Sequence, residues 1–312
     1  MSTPSATVQA SWANTRERGA LLLMQLMFIA LRWSARPVIK PVIKLVTLYF
    51  FVFSRRTRSV SLDYLRRVSV GIPESGIQPN LRWAYRHFSA FADAIVDKFD
   101  AWTGRLKRDA VSFANYGEMC ALANRDRGAL LIGSHLGNLE VCRALASLHA
   151  RVRLNVLVHT AHADRFNRLL KAAGATDFQL VQVTSLDAAV ALDLKARIDR
   201  GEWVVIAGDR VPVHGGRTVD AKLLGASAPL PIGPYVLAAL LECPVYLLFC
   251  LRREGINTIY FEAFSERIEW TRAQRDFVLA KAAQRYAGRL EHYLRLEPLQ
   301  WFNFYPFWRA SP

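Results

Sequence analysis

Between residues 129 and 296 short apolar runs alternate with longer amphipathic stretches. This restricts the fold more than any other feature of the chain. Residues 129–132, 154–158, 178–183, 203–207, 245–251 and 258–264 read as strands, and 138–149, 164–173, 186–200, 234–241 and 271–296 read as helices. Strands separated by helices come back parallel to one another, with the helices covering the sheet. Runs as uniformly apolar as WVVIA at 203–207 belong to strands buried on both faces. The expected fold is therefore α/β, a mostly parallel central sheet flanked by helices. Residues 76–125 read as helical, with Trp83, Phe88, Phe91, Ile95 and Phe99 at helical steps. No Pro/Gly/Ser-rich linker or repeat divides the body. The expected organisation is one domain over 68–312 behind a distinct segment, 1–67.

That first segment is both basic and apolar. It carries eleven Lys/Arg against Glu17 and Asp63, so nine of the fifteen net positive charges lie in it. Its apolar runs, 20–31 and 45–53, are each shorter than the ~20 residues that span a bilayer. Arg32, Arg36, Lys40 and Lys44 recur every four residues, one stripe if helical, while Pro37 and Pro41 argue against an unbroken helix. The expectation is a bent helical membrane anchor, its apolar faces in the acyl region and its basic stripe on anionic lipid phosphates. A basic segment that is also this apolar suits an anionic membrane surface better than a nucleic-acid partner. The four cysteines form no C-x-x-C pair and read as small buried hydrophobes.

Chemistry belongs at the carboxyl ends of such strands. The run ALLI leads into GSHLGNLE at 133–140, placing His135 in a turn and Glu140 in the first turn of a helix beginning near Asn138. A carboxylate accepting the proton of one imidazole nitrogen fixes the tautomer and leaves the other nitrogen basic. The run WVVIA likewise ends in Gly208, Asp209 and Arg210, followed by a glycine-containing loop to Arg217. Arg210 and Arg217 are candidate holders of a phosphate or carboxylate. Pro234 suits the first turn of a helix facing the same pocket. There is no G-x-S-x-G elbow, P-loop or G-x-G-x-x-G, which disfavours serine hydrolysis and nucleotide chemistry. His159, His162 and Asp164 lack a cysteine or H-E-x-x-H frame, and no metal is expected.

HLGNLE at 135–140 resembles the histidine-four-acid motif of the lysophospholipid acyltransferase superfamily. RGALLIGSHLGNLE (127–140), VVIAGDR (204–210), LPIGPYVLAALLECPVYLLF (230–249) and QWFNFYPFW (300–308) follow in the order of its bacterial branch, the late lipid A acyltransferases. WANTRERG (12–19) and the basic apolar segment are similar to the same branch. The resemblance implies that His135 is the catalytic base, Glu140 the acid that orients it, and Asp209 and Arg210 a turn beside the active site. It departs at 158–168, VHTAHADRFNR, which is richer in His than the arginine-containing region of that branch, and this points to acceptors among other glycolipids or aminoacyl-type lipids.

The implied activity is transfer of a fatty acyl chain from a thioester to a hydroxyl or amine of a glycolipid or lysolipid-type acceptor. Acyl carrier protein, or coenzyme A, would carry the donor, and no other cofactor is expected. Backbone N–H groups of Gly137 and Asn138 would hold the developing oxyanion, and Asp209, Arg210 and Arg217 would bind substrate. Trp301, Phe302, Phe304 and Trp308 would border the acyl groove or close the core. The expected location is the cytoplasmic face of a bacterial inner membrane. The rivals are a lipid thioesterase or esterase and a non-catalytic lipid-binding protein.

Overall fold

The computed structural model describes residues 36–102, 110–142, 152–158, 178–182, 188–211 and 216–308. Three helices come first: α1 (Arg36–Phe53), α2 (Arg55–Gly71) and α3 (Leu81–Trp102). They lead to β1 (Val111–Phe113), α4 (Tyr116–Ala123), β2 (Leu130–Gly133), β3 (Leu154–Val158), β4 (Phe178–Gln182), α5 (Ala188–Asp199) and β5 (Trp203–Ala207). The remainder is β6 (Thr218–Leu223), β7 (Ala226–Pro231), α6 (Gly233–Leu241), β8 (Val245–Arg253), β9 (Ile256–Ser265) and α7 (Arg275–Leu296).

Seven strands form one sheet in the order β1-β9-β8-β2-β5-β3-β4. Strands β8, β2, β5, β3 and β4 are parallel; β9 runs antiparallel to β8, with β1 alongside it. The mixed α/β architecture with a mostly parallel central sheet is as the alternation predicts. Period-two geometry divides the apolar strands between two cores. Leu130, Ile132, Val204, Ile206, Leu247 and Phe249 face one side, and Leu131, Trp203, Val205, Tyr246 and Leu248 the other. The first face is covered by α2, α6 and α7; the last buries Leu279, Ala283, Tyr286, Ala287 and Leu290 at three- and four-residue steps. Each fully buried aliphatic side chain contributes about 1.5–3 kcal/mol, so β2 and β5 anchor the sheet's centre.

The structure departs from strict strand–helix alternation and adds elements the sequence reading did not assign. As the reading of 245–251 and 258–264 as consecutive strands already has it, no helix separates β8 from β9. Glu254 and Gly255 both have positive φ, 52° and 84°, and close a two-residue hairpin that reverses the chain. Within 76–125, α3 ends at Trp102, and Val111–Phe113 joins the sheet edge through β9. A two-stranded ladder, β6–β7, lies outside the main sheet, between the loop that ends at Arg217 and the helix read from Pro234.

The prolines do not break the first helix. Pro37 lies in the first turn of α1 and Pro41 inside it. The helix nevertheless runs on past Pro41 to Phe53. Phe51 of α1 meets Tyr85 and Phe88 of α3 edge-on, at 5.4 and 5.3 Å between ring centres. Val42, Leu45, Leu48, Tyr49 and Phe53 are exposed, as are Lys40 and Lys44. No helix among the described residues is long and apolar enough to cross a membrane. The expected boundary at 67/68 falls inside α2, whose Tyr64, Leu65 and Val68 already belong to the main core.

Candidate active site

Strands β2 and β5 are neighbours, and their register pairs Gly133 with Ala207. Both chains leave the sheet at the same level, so residues two steps further on, His135 and Asp209, come side by side. The Gly208 amide ties the two turns by donating to the Gly133 carbonyl at 2.9 Å. The Tyr286 hydroxyl donates to the same carbonyl at 2.8 Å.

Asp209 is fully buried. A buried carboxylate is stable only when its oxygens are satisfied. His135 Nδ1 lies 2.8 Å from Oδ1. Oδ2 accepts the His135 amide at 2.8 Å and the Trp301 indole N–H at 2.9 Å. Burial alone would raise the Asp209 pKa, but the His135 imidazole, Arg210 and the Trp301 N–H together lower it to about 2. An ionised carboxylate only accepts hydrogen bonds, so the proton of a neutral imidazole sits on Nδ1 and Nε2 keeps its lone pair. The His135 pKa is lowered, by burial first and then by Arg210 and Lys98, against the opposing pull of Asp209. Its side chain is still 34% exposed, enough for a substrate to reach it. The pair is arranged to accept a proton at neutral pH.

The segment after α7 forms the floor of this site. Trp301 pairs with Leu136 across an isolated bridge, and the Phe302 amide donates to the His135 carbonyl at 3.1 Å. Behind Trp301 lies a second buried histidine. His87 Nδ1 is 2.9 Å from Ser61 Oγ, and its Nε2 is 3.0 Å from the Trp301 carbonyl. Burial lowers the His87 pKa to about 4, so it is neutral, donating through Nε2 and accepting from Ser61.

The expected site residues separate. Asp209, expected to touch substrate, is instead the carboxylate on Nδ1, the place expected for Glu140. Glu140 lies in the 3-10 turn Leu139–Cys142, and its side chain is outside the described residues; the helix expected over 138–149 is described only as that turn. The oxyanion role of Gly137 and Asn138 is corrected. The Gly137 N–H donates to the Gln300 carbonyl and the Asn138 N–H to the Cys250 carbonyl, both at 2.8 Å, so neither is left for substrate.

Arg210 turns toward the floor rather than outward. Its Nε donates to Asn303 Oδ1 and a terminal nitrogen to the Phe302 carbonyl, each at 2.7 Å, while the guanidinium lies 5.5 Å from the Tyr305 ring centre. Arg217 stands exposed just before β6. Trp301 and Trp308 are buried in the main core, while Phe302, also buried, lines a cavity beside the His135 turn. His159, His162 and Asp164 lie outside the described residues; among those described no group of His, Cys, Asp and Glu is placed to hold a metal.

A cavity of about 230 Å³ opens beside the His135 turn, between α3 and the β8–β9 hairpin. Its walls include Asp93, Asp97, Asn138, Arg252, Asn257 and Phe302. The Arg252 guanidinium bonds Asp97 at 2.8 Å.

The fold and site together define an α/β protein with a His–Asp pair at the carboxyl edge of a parallel sheet. No protein-family model matches the chain, and no curated protein is similar enough to serve as a relative.

Proposed function

We propose that the protein is an acyltransferase that moves a fatty acyl chain from a thioester, carried by acyl carrier protein or coenzyme A, to a lipid acceptor. The observation that carries this reading is the His135–Asp209 pair, with Nδ1 committed and Nε2 left basic. The likeness of 127–140, 204–210 and 300–308 to the late lipid A acyltransferases supplies the substrate class. Nε2 would take the acceptor's proton as the acceptor atom attacks the thioester carbonyl carbon. The C–S bond would then break, and the imidazolium would return the proton to the departing thiolate. Ser134, the nearest hydroxyl in sequence, is 1% exposed and its Oγ accepts the Leu136 amide, which favours direct transfer over an acyl-enzyme. With the Gly137 and Asn138 amides engaged, the developing oxyanion would be favoured by the field of the nearby Arg210 and Lys98 charges, which already act on His135, rather than by a direct hydrogen bond.

The proposed setting is the cytoplasmic face of a bacterial inner membrane. There the exposed apolar residues of α1 would enter the surface of an anionic bilayer, with Lys40, Lys44, Arg55 and Arg56 at its phosphates. The net charge of +15 would suit an acidic carrier protein.

The test supplies the full chain with acyl thioester and membrane lipid and follows products by mass spectrometry. His135→Ala should lower turnover by about 10²–10⁴-fold. Full turnover in that variant, or free fatty acid as the sole product, overturns the reading. Because the base acts in its neutral form, kcat/KM should rise with pH as His135 loses its proton. Its pKa is depressed, so the midpoint should fall below 6.5, with a plateau by neutral pH. A rising limb centred above pH 7 would contradict this protonation state.

A further inference from the structure

We propose that the cavity beside the His135 turn binds a primary ammonium group of the acceptor, which presents a neighbouring hydroxyl to the base. The acceptor class is thus an amino-alcohol headgroup. The hydroxyl half of this assignment rests on the acyl-transfer reading; the ammonium half rests on the cavity alone.

The cavity adjoins the turn that carries the proposed base. Gly137 and Asn138, two and three residues past His135, form part of its wall, and so does Phe302, whose amide holds the His135 carbonyl. At about 230 Å³ it is below the usual size of a small-molecule site and suits a headgroup fragment rather than a fatty chain. The polar side chains of Asp93, Asp97, Asn138, Arg252, Asn257 and Gln300 share its wall with the hydrocarbon of Ala90, Ala94 and Phe302.

The polar groups select a cation that donates hydrogen bonds. The lining holds two carboxylates, Asp93 and Asp97, and one guanidinium, Arg252, so it carries net negative charge and disfavours a phosphate. Asn257 is 2% exposed, lines the same cavity, and its Oδ1 has no hydrogen-bond partner among the described residues. A buried unsatisfied acceptor calls for a donor. A primary ammonium has three N–H donors and no acceptor, matching the two carboxylates and this amide oxygen. The wall is pre-formed. Gln300 accepts the Arg252 amide at 2.9 Å and donates to the Arg252 carbonyl at 2.6 Å, and Arg252 in turn holds Asp97.

The same charges decide which acceptor atom reacts. An amine between carboxylates is held in its protonated form, without the lone pair a nucleophile needs. The group left to lose a proton to His135 is the hydroxyl, and the product is an ester with a free amine.

Calorimetric titration of the full chain with ethanolamine tests the ammonium site without any acyl transfer. Ethylene glycol, which lacks the cation, and choline, which keeps the charge but has no N–H, serve as comparisons. Ethanolamine should bind in the millimolar range, and both comparison compounds at least tenfold more weakly. Asp93→Asn changes an exposed side chain and should weaken ethanolamine about fivefold. Ala90→Leu, which fills the cavity, should abolish the binding. No ethanolamine binding, equal binding of choline, or unchanged affinity in both variants overturns the ammonium site. Amide product from an amino-alcohol lipid overturns the hydroxyl assignment. Ethanolamine binding without acyl transfer would retain the site and reject the enzymatic reading; acyl transfer without ethanolamine binding would do the reverse.

Discussion

Asp209→Asn should lower kcat/KM by about 10⁴-fold while leaving the protein folded. The size of the effect comes from the donors around this carboxylate. Oδ2 accepts two N–H groups, from the His135 main chain and the Trp301 indole. An asparagine satisfies both only by placing its amide oxygen there. Its NH₂ must then point at His135 Nδ1, 2.8 Å from the other oxygen position. Two donors cannot face each other, so the imidazole shifts its proton to Nε2 and loses its basic lone pair where substrate arrives. Nitrogen-15 NMR of the histidine ring should report the tautomer change, and circular dichroism an unchanged fold. Activity within tenfold of the parent would show that Asp209 does not set the tautomer.

Gly137→Ala should be the most damaging single methyl addition in the His135 turn. Gly137 has φ +75°, and a Cβ built on it lies 1.8 Å from the Cys250 carbonyl oxygen. That atom is backbone in β8 and cannot rotate away. The left-handed conformation costs an ordinary residue about 1–2 kcal/mol, and forced overpacking about 1–3 kcal/mol more. Relief requires separating the turn from β8, which breaks the bond from the Asn138 amide to the same carbonyl. The expected result is a melting temperature lower by about 10 °C, together with loss of turnover as His135 shifts. A variant that melts with the parent would show that the turn is free to move.

These expectations differ from what the residues alone suggest, for a physical reason. The strands were legible because period and burial are local. Val204 and Val205 show in sequence that β5 is buried on both faces, and the structure agrees. Strand order is not local. Both GSH at 133–135 and GDR at 208–210 follow apolar runs, yet nothing in either says that β2 lies next to β5 in a register pairing Gly133 with Ala207. His135 was therefore recognisable as a strand-end histidine, while its carboxylate was sought five residues away instead of 74. The amides of Gly137 and Asn138 looked available because their acceptors, Gln300 and Cys250, come from distant segments. Likewise, Arg210 has a charge that suggests a ligand, but its bonds to Phe302 and Asn303 depend on where the chain returns after α7. Sequence pattern identified where the chemistry could sit; tertiary pairing determined which groups remain to perform it.

Trp301 reaches Asp209 across 92 positions of chain. On the ribosome, His135 and Asp209 are both made well before the indole that completes the carboxylate's shell. Until that last partner arrives, the buried acid has one donor too few and the imidazole is poorly aimed. A folding intermediate that has paired β2 with β5 but not yet docked the segment after α7 would therefore hold the carboxylate with one donor missing.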